Sequence, residues 1–476
     1  MAATDTVQKL YVGGEWYETG ETRDVTSPYD GSVVGQVAYG GGDDARRAID
    51  AAERAMESPL PAHRRAAILD GVADQLRERR EEFARTIALE AGKPVSTALV
   101  EVDRAVQTIT FSALEARRLT GETVGMDAHP AGEGKAGLIL RLPIGIVGAI
   151  SPFNFPLNLV CHKVGPAFAA GCAVVLKPAG ATPLSALLLA QAFADAGQPA
   201  GWLNVIVGSS SEIGDVLTND ERVRMITFTG SSEVGWGIRQ RAHKKKVSLE
   251  LGNSTPVIVL ADADLDKAAT AIAANGYAFA GQSCISVQRV YVEGSAYDAL
   301  LEKLVPKVRA LKVGDPLDPD TQVGPVIDQE NRDRIKSWVA SAVAAGADLL
   351  AGGEVNDEGL LQPTLLGNVS LDMDVACKEV FGPVVTVSRV GGLDEAIAQA
   401  NGTDYGLQAG IFTQDITSAL KAARTLDFGG VTINEAPTYR ADQMPYGGVK
   451  ESGNTREGPK FAVQEMTEPR MVVISL

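Results

Sequence analysis

The sequence predicts an α/β chain: a Rossmann-like unit and a second α/β unit after it. Three observations carry this. From about residue 144, short apolar runs alternate with Ala- and Leu-rich helical stretches, the pattern of βαβ units and parallel sheets. A second such series begins after Glu250. The length of 476 residues exceeds what one ordinary hydrophobic core serves.

The elements follow in order. KLYVGGEWYE reads as a hairpin. Ala, Leu and Ile recur at helical spacing over 44–56 and 64–91, and Gly92 with Pro94 closes the second stretch. A third helix is expected over 97–119, then the extended stretch GLILRLPIGIVGAISPFNFP. IGIVGAI, CAVVLK, LNVIVG and MITFTG are the strands of the first unit. TPVIVL, SVQRVYV, VVTVSRV, AGIFT and GGVTIN belong to the second, with an Ala-rich helix from Leu265. The closing MVVISL has no strand partner nearby in sequence, so it is expected to complete another sheet, a neighbour's included.

Composition narrows the function classes. A charge of −16, from 44 basic and 60 acidic residues, disfavours binding to nucleic acid and obliges any anionic ligand to find a local positive site. Four cysteines, Cys161, Cys172, Cys284 and Cys377, form no disulfide framework, which suits a reducing compartment. No apolar run approaches the ~18 residues of a membrane span, and no signal peptide opens the chain, so a cytoplasmic location is expected. No His/Cys cluster suggests a metal.

Several residues stand out, each with a plain alternative. Cys284, in AGQSCISVQRVYV, follows two polar residues in a turn before an apolar strand; a buried inert thiol is the alternative. Glu250 is a carboxylate in the otherwise apolar VSLELG, which suits a general base or a strand-end ion pair. Asn154, in SPFNFP, suits an oxyanion donor or a helix cap. Gly230, Ser231 and Ser232 lie where a helix starts, a place for a pyrophosphate or simply a capped helix. Lys177 ends an apolar strand, facing a ligand crevice or solvent.

Taken together, SPFNFP, VVLKPA, ITFTGSSEVG, LELG, GQSC, EVFGPVV and PYGGVKESG with REG occur in the order found in the aldehyde dehydrogenase superfamily, which the chain resembles along nearly its whole length. The resemblance implies oxidation of an aldehyde to an acid with NAD or NADP. Cys284 would be the nucleophile, Glu250 the general base, and Asn154 with the Cys284 N–H the oxyanion site. Lys177 would bind the adenosine ribose, Ser231 the pyrophosphate, Glu379 the nicotinamide ribose and Phe381 the nicotinamide face. Gly208 and Gly230 would give the cofactor room. It also implies a cofactor domain over 1–120 and 146–249, a catalytic domain over 250–460, and an oligomerisation element over 121–145 and 461–476. MVVISL would then extend a partner's sheet in a homodimer or homotetramer.

Departures from the family pattern matter. Phe153 stands where Trp is common, and NSTP follows LELG where GKSP is common. Gly180 replaces a Glu that repels the 2′-phosphate, so NADP is not excluded by charge. Arg104, His162 and Arg440 fall at tunnel positions that are apolar in fatty- or aromatic-aldehyde members. His162 is eight residues after Asn154, so a helix would place both on one face. Three basic groups suggest a small hydroxylated or anionic aldehyde, as in the lactaldehyde, non-phosphorylating glyceraldehyde-3-phosphate and phosphonoacetaldehyde branch. Ser283 departs from the phosphonate-acting members that carry Arg there. Surface-paired arginines and a satisfied core histidine are the alternative. Rival functions are a CoA-acylating dehydrogenase, which generally lacks the LELG carboxylate, and a non-catalytic ligand-binding protein.

Overall fold

The computed structural model describes residues 7–476. Five parallel strands form the heart of the first sheet, in the spatial order Lys246–Glu250, Val223–Thr229, Ile146–Ile150, Val174–Lys177, Leu203–Val205. The hairpin Leu10–Val12 and Glu15–Tyr17 adds two antiparallel strands at the far edge. The inner strands are buried almost throughout, as a sheet covered on both faces requires. Chain order runs outward from Ile146–Ile150 on one side and then returns to Val223–Thr229 on the other. That reversal makes a crevice beyond the carboxyl ends of these two strands, where open α/β sheets bind ligands.

The second sheet runs Asp348–Ala351, Thr364–Gly367, Val384–Val390, Val287–Glu293, Thr255–Val259, Gln408–Phe412, Gly430–Ile433, parallel except at its first pair. Each sheet has its own apolar core.

One expectation is corrected. The helical stretch over 64–91 is two helices, Ala62–Glu78 and Arg80–Ala91, because Arg79 leaves the helical region at φ −102°, ψ 23°. RERREE, at the junction, has no apolar side chain to hold it down, and Arg79 and Arg80 turn to Glu82 and Asp103 instead. MVVISL does complete another sheet, as expected: Thr467–Ser475 pairs antiparallel with Lys135–Pro143, which in turn pairs with Glu122–Val124. Its outer edge stays open, with Met471, Val473 and Ile474 exposed.

Buried carboxylates pin the two helices that flank the crevice. Glu101 accepts the Leu157 and Asn158 N–H groups (3.0 and 3.1 Å) at the start of Asn158–Ala170. Its other oxygen pairs with Lys93, whose ammonium sits 3.7 Å and 4.6 Å from the Phe155 and Phe279 ring centroids. Glu90 accepts from Leu184 (2.7 Å) and Ser185 (3.0 Å) at the start of Leu184–Asp195. A carboxylate favours a helix N-terminus, so both segments entering the crevice are anchored from behind.

Candidate active site

The loops after Ile150, Lys177, Val205, Thr229 and Glu250 all leave carboxyl ends of the first sheet. They bring Asn154, Lys177, Gly208, Gly230 with Ser231, and Glu250 to one side of it. The second sheet answers with segments that precede its strands: Cys284 before Val287–Glu293, Glu379 and Phe381 before Val384–Val390.

The nucleophile loop is tightly held. Phe279 and Ala280 take left-handed φ values of 49° and 52°, a conformation costing ~1–2 kcal/mol for a residue with a β carbon. Gly281 follows at φ 69°, where a β carbon would lie 2.1 Å from the Gly382 carbonyl oxygen. Gln282 then locks the turn, donating to Phe279 and Pro325 carbonyls and accepting from the Ile327 N–H. The Asn154 Nδ2 donates across the crevice to the Gln282 carbonyl at 3.0 Å. Cys284 is half-buried, with its Sγ 3.1 Å from the Tyr446 hydroxyl. Burial pushes its thiol up to about 12, the Tyr446 hydrogen bond opposes this, and the Glu379 and Glu250 charges add to it.

Glu250 ends its strand in register with Thr229, and its carbonyl accepts the Gly230 N–H at 3.1 Å. Its side chain is buried, and neither carboxyl oxygen has a partner among the described residues. The strand-end ion pair is therefore not what this carboxylate does. Burial foremost, and the charge of Glu457 after it, raise it well above the ordinary carboxylate range. An unpartnered buried acid is costly and rare outside functional sites.

Asn154 is not where the helical spacing placed it. It lies in the loop before Asn158–Ala170, off the helix that carries His162, and does not cap that helix, whose leading N–H groups go to Glu101. His162, Arg104 and Arg440 nonetheless converge, on two carboxylates the sequence reading missed. Arg104 forks onto Asp442 (2.9 and 3.3 Å), and His162 Nε2 meets the same carboxylate at 2.9 Å. Arg440 donates to Glu457 at 3.0 Å, and Lys163 Nζ lies 3.5 Å from that carboxylate while donating to Thr229 Oγ1 at 2.7 Å. The arginines are thus paired, Arg440 in the interior and Arg104 half-buried. Burial and Arg440 lower His162, while His162 and Arg104 hold Asp442 below its usual range despite burial. These two guanidinium groups and the Lys163 ammonium share the interior with the carboxylates of Asp442, Glu457 and Glu250. The buried Arg440 Nε has no partner among the described residues.

On the cofactor side, Lys177 is buried, donates to the Pro178 carbonyl at 3.1 Å, and is lowered to about 8 by burial. Gly180 is exposed, and a β carbon there meets nothing within 4 Å. Ser231 is the N-cap of Ser232–Arg241 without a side-chain cap bond among the described residues, so the helix start is open to an anion. Glu379 accepts the Asn253 N–H at 2.9 Å and is raised to about 7 by burial. Phe381, at φ 48°, meets Phe153 edge-on with ring centroids 5.8 Å apart. The two glycines have another reason than cofactor room. A β carbon at Gly208 would lie 2.0 Å from the Gly40 carbonyl oxygen, and one at Gly230 would lie 2.6 Å from the Phe228 ring.

Tyr446 and Glu457 stood inside PYGGVKESG and REG, and Lys163 directly follows His162. Nothing in the spacing marked Asp442.

Comparison with known proteins completes the picture. The family model described as "Aldehyde dehydrogenase family" matches residues 16–472. The chain is 46% identical over 467 residues to the 3-sulfolactaldehyde dehydrogenase of Priestia aryabhattai, covering 98% of each chain. It is 41% identical to the lactaldehyde dehydrogenase of Methanocaldococcus jannaschii, covering 98% of this chain and 100% of that one. Among solved structures, a glyceraldehyde-3-phosphate dehydrogenase from Methanocaldococcus jannaschii complexed with NADP superposes with a TM-score of 0.92 at 40% identity, covering 96% of this chain and 100% of the other. The chain belongs to the aldehyde dehydrogenase family and is an NAD(P)-dependent enzyme of it.

Proposed function

We propose that the protein oxidises a small hydroxylated or anionic aldehyde to the acid, with Cys284 as nucleophile, Glu250 as base and Asn154 as oxyanion donor. The observation that carries this is the approach of a thiol and a buried carboxylate, without an ion pair among the described residues, to one short segment: the Tyr446 hydroxyl lies 3.1 Å from Cys284 Sγ, and a β carbon at the adjoining Gly447 would lie 2.7 Å from Glu250 Oε1. Among the residues that would hold the dinucleotide, the buried Lys177 and the open helix start at Ser231 suit ribose hydroxyls and pyrophosphate, and Glu379 and Phe381 suit the nicotinamide end. The bound cofactor supplies the two-electron acceptor.

The chain's own residues do the rest. The Cys284 sulfur, once deprotonated, adds to the carbonyl carbon, and the resulting oxyanion takes hydrogen bonds from Asn154 Nδ2 and the Cys284 N–H. Oxidation leaves a thioester on Cys284. Glu250 takes a proton from water, the hydroxyl adds to the thioester carbon, and the C–S bond breaks to release acid and thiol. Aldehyde oxidation without added CoA tests this. NAD(P)H formation that requires CoA would assign an acylating enzyme instead.

Three expectations follow for the same site. One oxyanion donor is worth on the order of 3 kcal/mol, so Asn154→Ala should lower kcat ~100-fold, read by steady-state kinetics; a few-fold loss would remove that role. Arg104→Ala and Arg440→Ala should lower kcat/KM for anionic aldehydes ~10-fold or more relative to neutral ones of the same length. The 3-sulfolactaldehyde and glyceraldehyde-3-phosphate named for two relatives are of that anionic class. NADP should be used at more than about one thousandth of the kcat/KM for NAD, a margin of ~4 kcal/mol. Gly180→Glu, which meets open space, should cut NADP use ~10-fold and spare NAD.

The dinucleotide would lie against the first sheet and the chemistry would be completed from the second. The exposed edge of Thr467–Ser475 suits a homodimer or homotetramer, and the free cysteines suit the cytoplasm.

A further inference from the structure

We infer that the Tyr446 hydroxyl is the hydrogen-bond donor that stabilises the Cys284 thiolate, a role that rests on Cys284 being the nucleophile. Cys284 packs in a small apolar patch with Ile285, Leu407 and the Tyr446 ring. Within it, the Tyr446 oxygen at 3.1 Å is the one hydrogen-bonding partner of the sulfur among the described residues.

The phenol is built to donate. Its ring is buried, and the Arg440 guanidinium carbon lies 3.8 Å from the ring centroid, itself held by Glu457 at 3.0 Å. A cation over the ring strengthens the O–H as a donor. Burial keeps the phenol well above its ordinary range. The charged groups facing the sulfur are Glu250 and Glu379, which oppose a thiolate, and Arg440, which favours it. A donor on the sulfur is what this carboxylate-rich crevice otherwise lacks.

The test is alkylation of Cys284 by iodoacetamide in the full-length enzyme without aldehyde or cofactor, followed across pH by mass spectrometry of the Cys284 peptide. Tyr446→Phe keeps the ring and removes the donor. A hydrogen bond to a charged group corresponds to about one pH unit or more, which cuts the thiolate fraction about tenfold, so the alkylation rate at each pH where the enzyme is folded should fall several-fold. Site-specific 3-fluorotyrosine at 446, a stronger donor of nearly the same shape, should raise the rate, and carries the test should the Phe variant fail to fold. Tyr439→Phe, an exposed ring (58%) beside Arg440, should leave it unchanged. A rate that stays or rises in Tyr446→Phe, or that does not rise with 3-fluorotyrosine, overturns the assignment. Alkylation needs no turnover, so this outcome is separable from failure of the nucleophile itself, which persistent oxidation by Cys284→Ala would reveal.

Discussion

Cys284→Ala is expected to lose at least about 10⁴-fold in aldehyde oxidation while still binding the dinucleotide, because the covalent route is closed. Cys161 and Cys172 are fully buried, and Cys377 lies in the segment Asp374–Cys377, its Sγ against the Asp372 carbonyl. Cofactor fluorescence titration beside steady-state kinetics checks both halves. Turnover within tenfold of the parent would assign the chemistry elsewhere. Cys284→Ser should be nearly as inactive, since an alcohol in this apolar setting is far less readily ionised than a thiol already pushed to about 12.

The second large effect is on deacylation. Glu250→Gln preserves shape and removes the base, so thioester hydrolysis should slow by roughly 10²–10⁴-fold. Formation of NAD(P)H should then show a burst close to one per Cys284, followed by a slow phase. The sign of the pH dependence follows from the raised Glu250 carboxyl. Only its ionised form takes a proton from water, so hydrolysis falls as pH drops through its elevated pKa and is already weakened above the usual carboxylate range. In Glu250→Gln that acidic limb should disappear from single-turnover hydrolysis. A burst-free progress curve with an unchanged limb would contradict the role.

Much of this arrangement is readable in one dimension. Alternating apolar runs and helices marked the two sheets because parallel strands are buried on both faces and leave near-continuous hydrophobic runs. Glu250 was conspicuous because a carboxylate inside such a run is rare unless paired or functional, and its side chain has no hydrogen-bond partner among the described residues. What was not readable depends on long-range pairing. Asp442 holds Arg104 across 338 positions, a contact no local spacing encodes. Asn154 suited either an oxyanion donor or a helix cap, and only the fold shows that Glu101 takes the leading N–H groups of that helix while the amide reaches Gln282. Gly208 and Gly230 are required by neighbouring backbone and ring atoms, reasons invisible without the fold. MVVISL found its partner at Lys135–Pro143, and the helix break at Arg79 came from a charged run with no apolar anchor.

The most direct measurement is the mass of the Cys284 peptide from Glu250→Gln, quenched in acid seconds after mixing with aldehyde and NAD(P). The account predicts an acyl adduct on Cys284, equal in amount to the NAD(P)H of the burst and absent when the cofactor is omitted. An unmodified Cys284 peptide beside a full burst of NAD(P)H, or an acyl group on another residue, would contradict it.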